Sequence, residues 1–186
     1  FSPYFNFDLD LDLKNINFTK TYNYFLKLDK KEKKNLFKVN KKINGNLALS
    51  ADKVYSNLGL VKSFESRLKF NNGNVSIEQF LINLGKLGAA DILGSITNDK
   101  KFSNIKYETN IFIDNQKKFL RKFGIYSKKK MHPNLFIAGL FDLHNIKNVF
   151  YEISDDKKFS VDDVSFVEKE FNDFMLEDGY ENLFNL

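Results

Sequence analysis

The chain has no cysteine and no tryptophan, and only two prolines and nine glycines in 186 residues. Lack of cysteine excludes a disulfide framework, thiolate-bound zinc and a thiol nucleophile. The two histidines, His132 and His144, stand outside any H-E-x-x-H pattern. Both read as surface residues, His132 in a turn before Pro133 and His144 at a hairpin turn. No G-x-S-x-G, G-x-x-x-x-G-K-[ST] or G-x-G-x-x-G occurs, so three common site signatures are missing. No apolar run reaches the roughly 18 residues that a spanning helix needs, and no signal peptide is visible. The chain opens on Phe1 rather than Met, and is expected to be part of a longer protein with any targeting segment upstream.

What is present is globular in kind. Hydrophobic residues make up 42% and charged residues 28%, within the range of chains that bury a core rather than stay disordered. Twenty-one phenylalanines stand out. The net charge of +5 is unevenly placed: from Ser160 onward there are eight acidic residues and one lysine, leaving +12 on residues 1–159. A basic body suits nucleic acid or anionic headgroups, although a solvated lysine-rich surface is the simpler reading.

The segment FNFDLDLDLKNINF, from Phe5, puts Asp8, Asp10 and Asp12 two apart. A calcium loop needs a glycine after the third carboxylate, and Leu13 stands there instead. Strand periodicity explains the pattern fully: Phe5, Phe7, Leu9, Leu11 and Leu13 line one face, and Asn6, the three aspartates and Lys14 the other. Lys27–Lys42 is a charged connection, either a loop or a short exposed helix. Strands then follow in series: LALS from Leu47, FESRLKF from Phe64, a hairpin turn at Asn71–Asn74, VSIEQFLINL, a turn at Gly85 and Gly88, DILGSI, the turn TNDKK and NIKYETNIFI. The period changes at Asp114, read as the N-cap of a short helix with Phe119, Leu120 and Phe123 on one side and Gly124 at its end. SKKKMHP reads as a basic turn. LFIAGLFDL and NVFYEI form a further strand pair, the first apolar on both faces and so more buried. Ser160 and Asp163 resemble a capping box. Behind them Val161, Val164, Val167 or Glu168, Phe171, Phe174 and Met175 recur at helical spacing up to Gly179.

Catalytic chemistry finds little support. Glu78, Glu108 and Glu152 lie in strands and read as solvent-facing, and no catalytic residue, metal ligand or cofactor is assigned. Phenylalanine beside lysine on a sheet is also how single-strand nucleic-acid binders work, but the RNP1 pattern is missing and the phenylalanines alternate like core positions. No nucleic-acid partner is assigned, and that reading ranks last.

Residues 43–96 have a particular grammar: G-x-L-x-L-x-A, then F-x-S-x-L-x-F-x-N-G-x-V-x-I, then a strand leading to L-G-K-L-G-A-A-D-I-L-G-S-I. This resembles the C-terminal repeats of the AsmA-like family of Gram-negative envelope proteins, most clearly over residues 43–113 and extending to about 153. The helices at 114–124 and 160–178 are not part of that grammar. The resemblance implies a non-enzymatic periplasmic segment, held to the inner membrane by an anchor outside this chain. It implies a role in phospholipid transport between membranes or in outer-membrane biogenesis, with phospholipid and other envelope proteins as partners.

The expected fold is mainly β: one domain over 1–186 with a meandering antiparallel, strongly curved sheet, as a groove or half-barrel. It divides into an N-terminal strand with its lysine-rich connection (1–42), the strand series (43–159) and the acidic C-terminal helix (160–186). A sheet with one apolar face must cover it or shelter something on it. If lipid is sheltered, the expected lining is Phe64, Leu68, Phe70, Val75, Ile77, Ile105, Tyr107, Ile111 and Ile113. The alternative is a closed-core structural or protein-interaction module.

Overall fold

A computed structural model describes residues 4–29, 31–32, 35, 38–56, 59–98, 103–122, 132–142, 145 and 147–173. The expectations for Phe123, Gly124, His144, Phe174, Met175, Gly179 and the residues of the basic turn before His132 lie outside them. The first strand, β1, runs Phe5–Leu13 and is followed by the short β2 (Ile16–Asn17) and the helix α1 (Phe18–Lys27). Next come β3 (Ile43–Ala51), the two-residue β4 (Val54–Tyr55), β5 (Ser63–Asn71), β6 (Asn74–Asn83), a 3-10 turn (Gly85–Leu87) and β7 (Gly88–Asn98). The chain continues through β8 (Ser103–Ile113), α2 (Gln116–Lys122), β9 (Asn134–Asp142), β10 (Lys147–Ser154) and α3 (Val161–Phe171).

Eight strands make one sheet in the order β1-β3-β5-β6-β7-β8-β9-β10, while β2 and β4 pair separately. The mainly β fold follows the alternating sequence, and from β3 onward the sheet meanders through antiparallel neighbours. The all-antiparallel expectation fails at one ladder. β1 lies parallel to β3, Phe5 opposite Ile43 through Leu13 opposite Ala51, and the sheet is mixed. A parallel neighbour needs a crossover long enough to return the chain to its starting end, and the segment between Leu13 and Ile43, with α1 inside it, supplies one. The sheet is open, with β1 and β10 as its edges, and it is not strongly curved or closed.

The hairpin turn between β5 and β6 forms where the sequence places it. Asn72 and Gly73 both take positive φ, 51° and 87°, which suits a two-residue turn matching strand twist. Two irregularities keep the apolar face continuous. In β6 the register slips between Ile77 and Phe80, so Glu78 is the extra residue and Val75, Ile77, Phe80 and Ile82 all point the same way. In β10 Tyr151 is the extra residue, which returns Ile153 to the face that holds Phe150. Gly45 lets β1 come close, because a Cβ there would fall 2.1 Å from the Phe7 carbonyl oxygen.

The covered core sits at one end of the sheet. Ala51, Val54 and Phe64 are buried, with Leu13, Ile16, Phe18, Leu49, Val61 and Phe80 against them. Phe18, the first residue of α1, stacks on Phe64 at 5.6 Å, and Phe80 meets the same ring edge-on. α1 itself was not foreseen, although Asn17 caps it through a 2.9 Å bond from the Lys20 N–H. The cap of α2 is Asn115 rather than Asp114: its Oδ1 accepts from the Lys118 N–H at 3.0 Å. β9, apolar on both faces, is half-buried on both instead of more buried, since β9 is next to the edge strand. The Ser160 cap forms as read: its hydroxyl accepts from the Asp163 N–H and donates to the Asp163 carboxylate. Val161, however, is 80% exposed and contributes nothing to an apolar stripe.

Candidate functional site: the apolar face and its sealed edge

Register places the whole proposed lining on one face of the sheet. Phe70 stands opposite Val75 and Leu68 opposite Ile77 across β5 and β6. Val75 stands opposite Ile96, and Ile96 opposite Ile105, across β6 to β8. Tyr107, Ile111 and Ile113 follow on β8 at the same parity. The nine residues differ in how much surface they offer. Phe64, Val75 and Ile113 are only 3–6% exposed, so other parts of the chain already occupy their surfaces. Leu68, Phe70, Ile77, Ile105, Tyr107 and Ile111 are half-buried and retain surface to share. The same parity adds Leu47, Ile92, Ile96 and Phe141, also half-buried, whose strands the alternation had marked without assigning them a role.

The face becomes more open toward β1. Phe5, Leu9 and Leu11 are 64%, 48% and 45% exposed, and all three share the parity of the β3 apolar residues. Phe5 stacks on Phe7, and Phe7 touches Phe70 at 5.3 Å, so an aromatic run leads from the open edge to the middle of the face.

At the other edge the face ends in a polar seal that sequence reading missed. Asn148, on β10, is 2% exposed. Its Oδ1 accepts from the Tyr107 hydroxyl at 2.8 Å. Its backbone N–H donates to Asn172 Oδ1, and its carbonyl accepts from Asn172 Nδ2, both at 2.8 Å. The Asn172 amide thus takes the place of a neighbouring peptide group on the outer side of β10. It also donates to the Glu168 carbonyl, which fixes its orientation at the end of α3. Glu168 takes the next outward group: its Oε2 accepts from the Phe150 N–H at 2.9 Å. Phe171 completes the docking, edge-on to Phe150 at 5.5 Å. The ambiguous stripe position is therefore settled by both candidates, since Val167 and Glu168 are each half-buried.

Tyr107 reaches Asn148 across Gly139, where a Cβ would lie 2.7 Å from the tyrosine oxygen. Burial pushes the Tyr107 hydroxyl up to about 12; the bond to Asn148 opposes that shift, and the nearby Glu168 charge adds to it. The hydroxyl is thus a fixed donor at neutral pH. Asn148 Nδ2 is buried without a partner, a cost set by the needs of its other three bonds.

The chemistry available on this face is apolar contact. Among the described residues no three histidine, aspartate or glutamate side chains gather as metal ligands. Of the strand glutamates, Glu78 and Glu108 are exposed and Glu152 pairs with Lys158. Asp12 accepts from the Ser50 hydroxyl. No helix among the described residues is long and apolar enough to cross a membrane. No family model matches the sequence, and a search of curated proteins gives no match.

Proposed function

We propose that this chain is a non-enzymatic segment that shelters phospholipid acyl chains against the apolar face of its sheet. In this reading it is the periplasmic part of an AsmA-like envelope protein, anchored in the inner membrane by a segment outside this chain, and it serves lipid transport between membranes or outer-membrane biogenesis. One observation carries the reading: between its buried positions the apolar face keeps half-buried residues from Leu47 on β3 to Phe141 on β9, and it opens further at Phe5, Leu9 and Leu11. A lipid methylene buried there gains about 0.8 kcal/mol, so a few chain segments need no polar contact to be held. The repeat-like grammar of residues 43–113 supports the same assignment. A groove would form if the sheet curved around its guest.

The test is native mass spectrometry of the protein purified from a Gram-negative periplasm, followed by extraction and lipid analysis. Co-purified phospholipid is expected in the unaltered chain. It should be lost in Phe70→Asp and Ile111→Asp variants that keep their circular dichroism. A clean apo mass with nothing extractable overturns the reading.

A second reading has its own observation. β1 turns its odd-numbered backbone groups toward β3, which leaves those of Asn6, Asp8, Asp10 and Asp12 pointing out of the sheet. Such an edge accepts an added strand from a protein partner. Asp10→Pro would block addition without removing a β1–β3 bond, and unchanged crosslinking to envelope proteins in that variant would sink this reading.

A further inference from the structure

Where β6 gives way to β7, a cavity of about 560 Å³ opens at the end of the sheet. Three elements bring cations to it: Lys62 at the entry to β5, Lys86 in the 3-10 turn, and Lys118, Arg121 and Lys122 on α2. Among the described residues no aspartate or glutamate lines it. Among the described residues Lys86, Lys118 and Arg121 have no acidic partner, and Lys62 spends one donor on the Gly59 carbonyl at 2.8 Å.

The end of α2 accounts for part of this charge, since cations in a last helical turn complement the helix dipole. It does not account for Lys62 and Lys86, which arrive from separate elements. Lys62, Lys86, Lys118 and Arg121 carry like charge around one cavity, and no acidic side chain among its described lining residues offsets their mutual repulsion. A bound anion would. The exposed wall of the cavity is mostly apolar, with Leu84 and Leu87, both nearly buried, among its lining residues. The volume falls in the range of small-molecule sites and far exceeds that of a bare phosphate group.

We propose that this cavity is a cradle for a phosphate group. The mostly apolar wall beside the cations favours a phosphate carried on an apolar body, and so the headgroup of an anionic phospholipid. As a headgroup site the cradle rests on the lipid-sheltering reading; as a phosphate site it does not. Arg121 supplies a planar fork and the lysines supply point charges, a combination that grips phosphate oxygens from several sides.

The experiment uses the whole chain and a Lys86→Gln, Arg121→Gln double variant, with Lys118→Gln as a second variant should the first misfold. Binding to phosphatidylcholine vesicles is measured with and without phosphatidylglycerol. Thermal stability is measured in inorganic phosphate and in chloride of equal ionic strength. The unaltered chain is expected to prefer phosphatidylglycerol, and the double variant to lose at least about tenfold of that preference, the loss of one strong charge-assisted contact. If the chain carries lipid but the variant keeps its preference and its response to phosphate, the cradle is overturned and the lipid reading stands. If no lipid binds, yet phosphate stabilises the chain beyond chloride and the variant abolishes this, the cradle stands and the lipid reading falls. If neither phosphate nor phosphatidylglycerol distinguishes the variant from the unaltered chain, the cradle is overturned.

Discussion

The two edges of the sheet are finished by different means. At β10, α3 is laid alongside, Asn172 takes up the outward N–H and carbonyl of Asn148, and Glu168 takes up the N–H of Phe150. At β1 no described element covers the outward groups, and a row of aspartates lies on the polar face beside them. The first solution is hydrogen bonding, which fixes geometry and occupies the groups it reaches. The second is charge, which discourages like chains from pairing yet keeps the edge available. One sheet therefore has a closed side and an open side, and on its apolar face the exposed large side chains, Phe5, Leu9 and Leu11, lie on the open one.

The comparison is broken most severely at the closed edge. Asn172→Leu leaves the Asn148 N–H and carbonyl buried without partners, and should cost about 3 kcal/mol in urea unfolding. Gly45→Val acts on the open side. Its Cβ would meet the Phe7 carbonyl at a φ of +150°, so β1 should separate from β3 at a cost of about 2 kcal/mol, with faster amide exchange confined to β1. Tyr107→Phe should cost about 1 kcal/mol, discounted because the tyrosine retains solvent contact. The sign follows from the raised hydroxyl, about 12 against 10 when unfolded: its contribution is whole below pH 10 and is lost as pH climbs through 12. The gap between wild type and variant should therefore narrow over that window. The smallest effect on stability, under about 0.5 kcal/mol, belongs to the triple change of Asp8, Asp10 and Asp12 to Ser. There the readout is light scattering, where loss of the charged row should allow concentration-dependent self-association.

These contrasts were unevenly legible in the sequence. Alternation located the strands of the main sheet and put Phe70, Ile77 and Ile111 on one face, because side-chain direction on a strand is a local property. The Asn72–Gly73 turn was equally local. The parallel ladder between β1 and β3 was not, since nothing in FNFDLDLDL says which distant strand receives it. Asn115 prevailed over Asp114 as a cap by one residue, a choice set by where β8 releases the chain. The seal escaped for a different reason: Asn148, Glu168 and Asn172 are ordinary polar residues until α3 meets β10, and a pairing of backbone with side chain has no period. Of the nine proposed lining residues, Phe64, Val75 and Ile113 are buried, Phe64 because Leu13, Ile16 and Phe18 from before the strand series pack against it.

The parallel ladder also bears on the order of assembly. From β5 to β7 each strand joins its neighbour through a short turn, so those contacts can close early at little entropic cost. β1 instead pairs with residues 38 positions further along the chain, Asp12 with Ser50 among them. Loop closure over that span weighs against early docking, and β3 must already be in place to receive it. β1 should be the last strand to arrive and the first to leave. The aromatic residues it carries, Phe5 and Phe7, would then make it a detachable margin, able to open and reclose while the meander behind it stays folded.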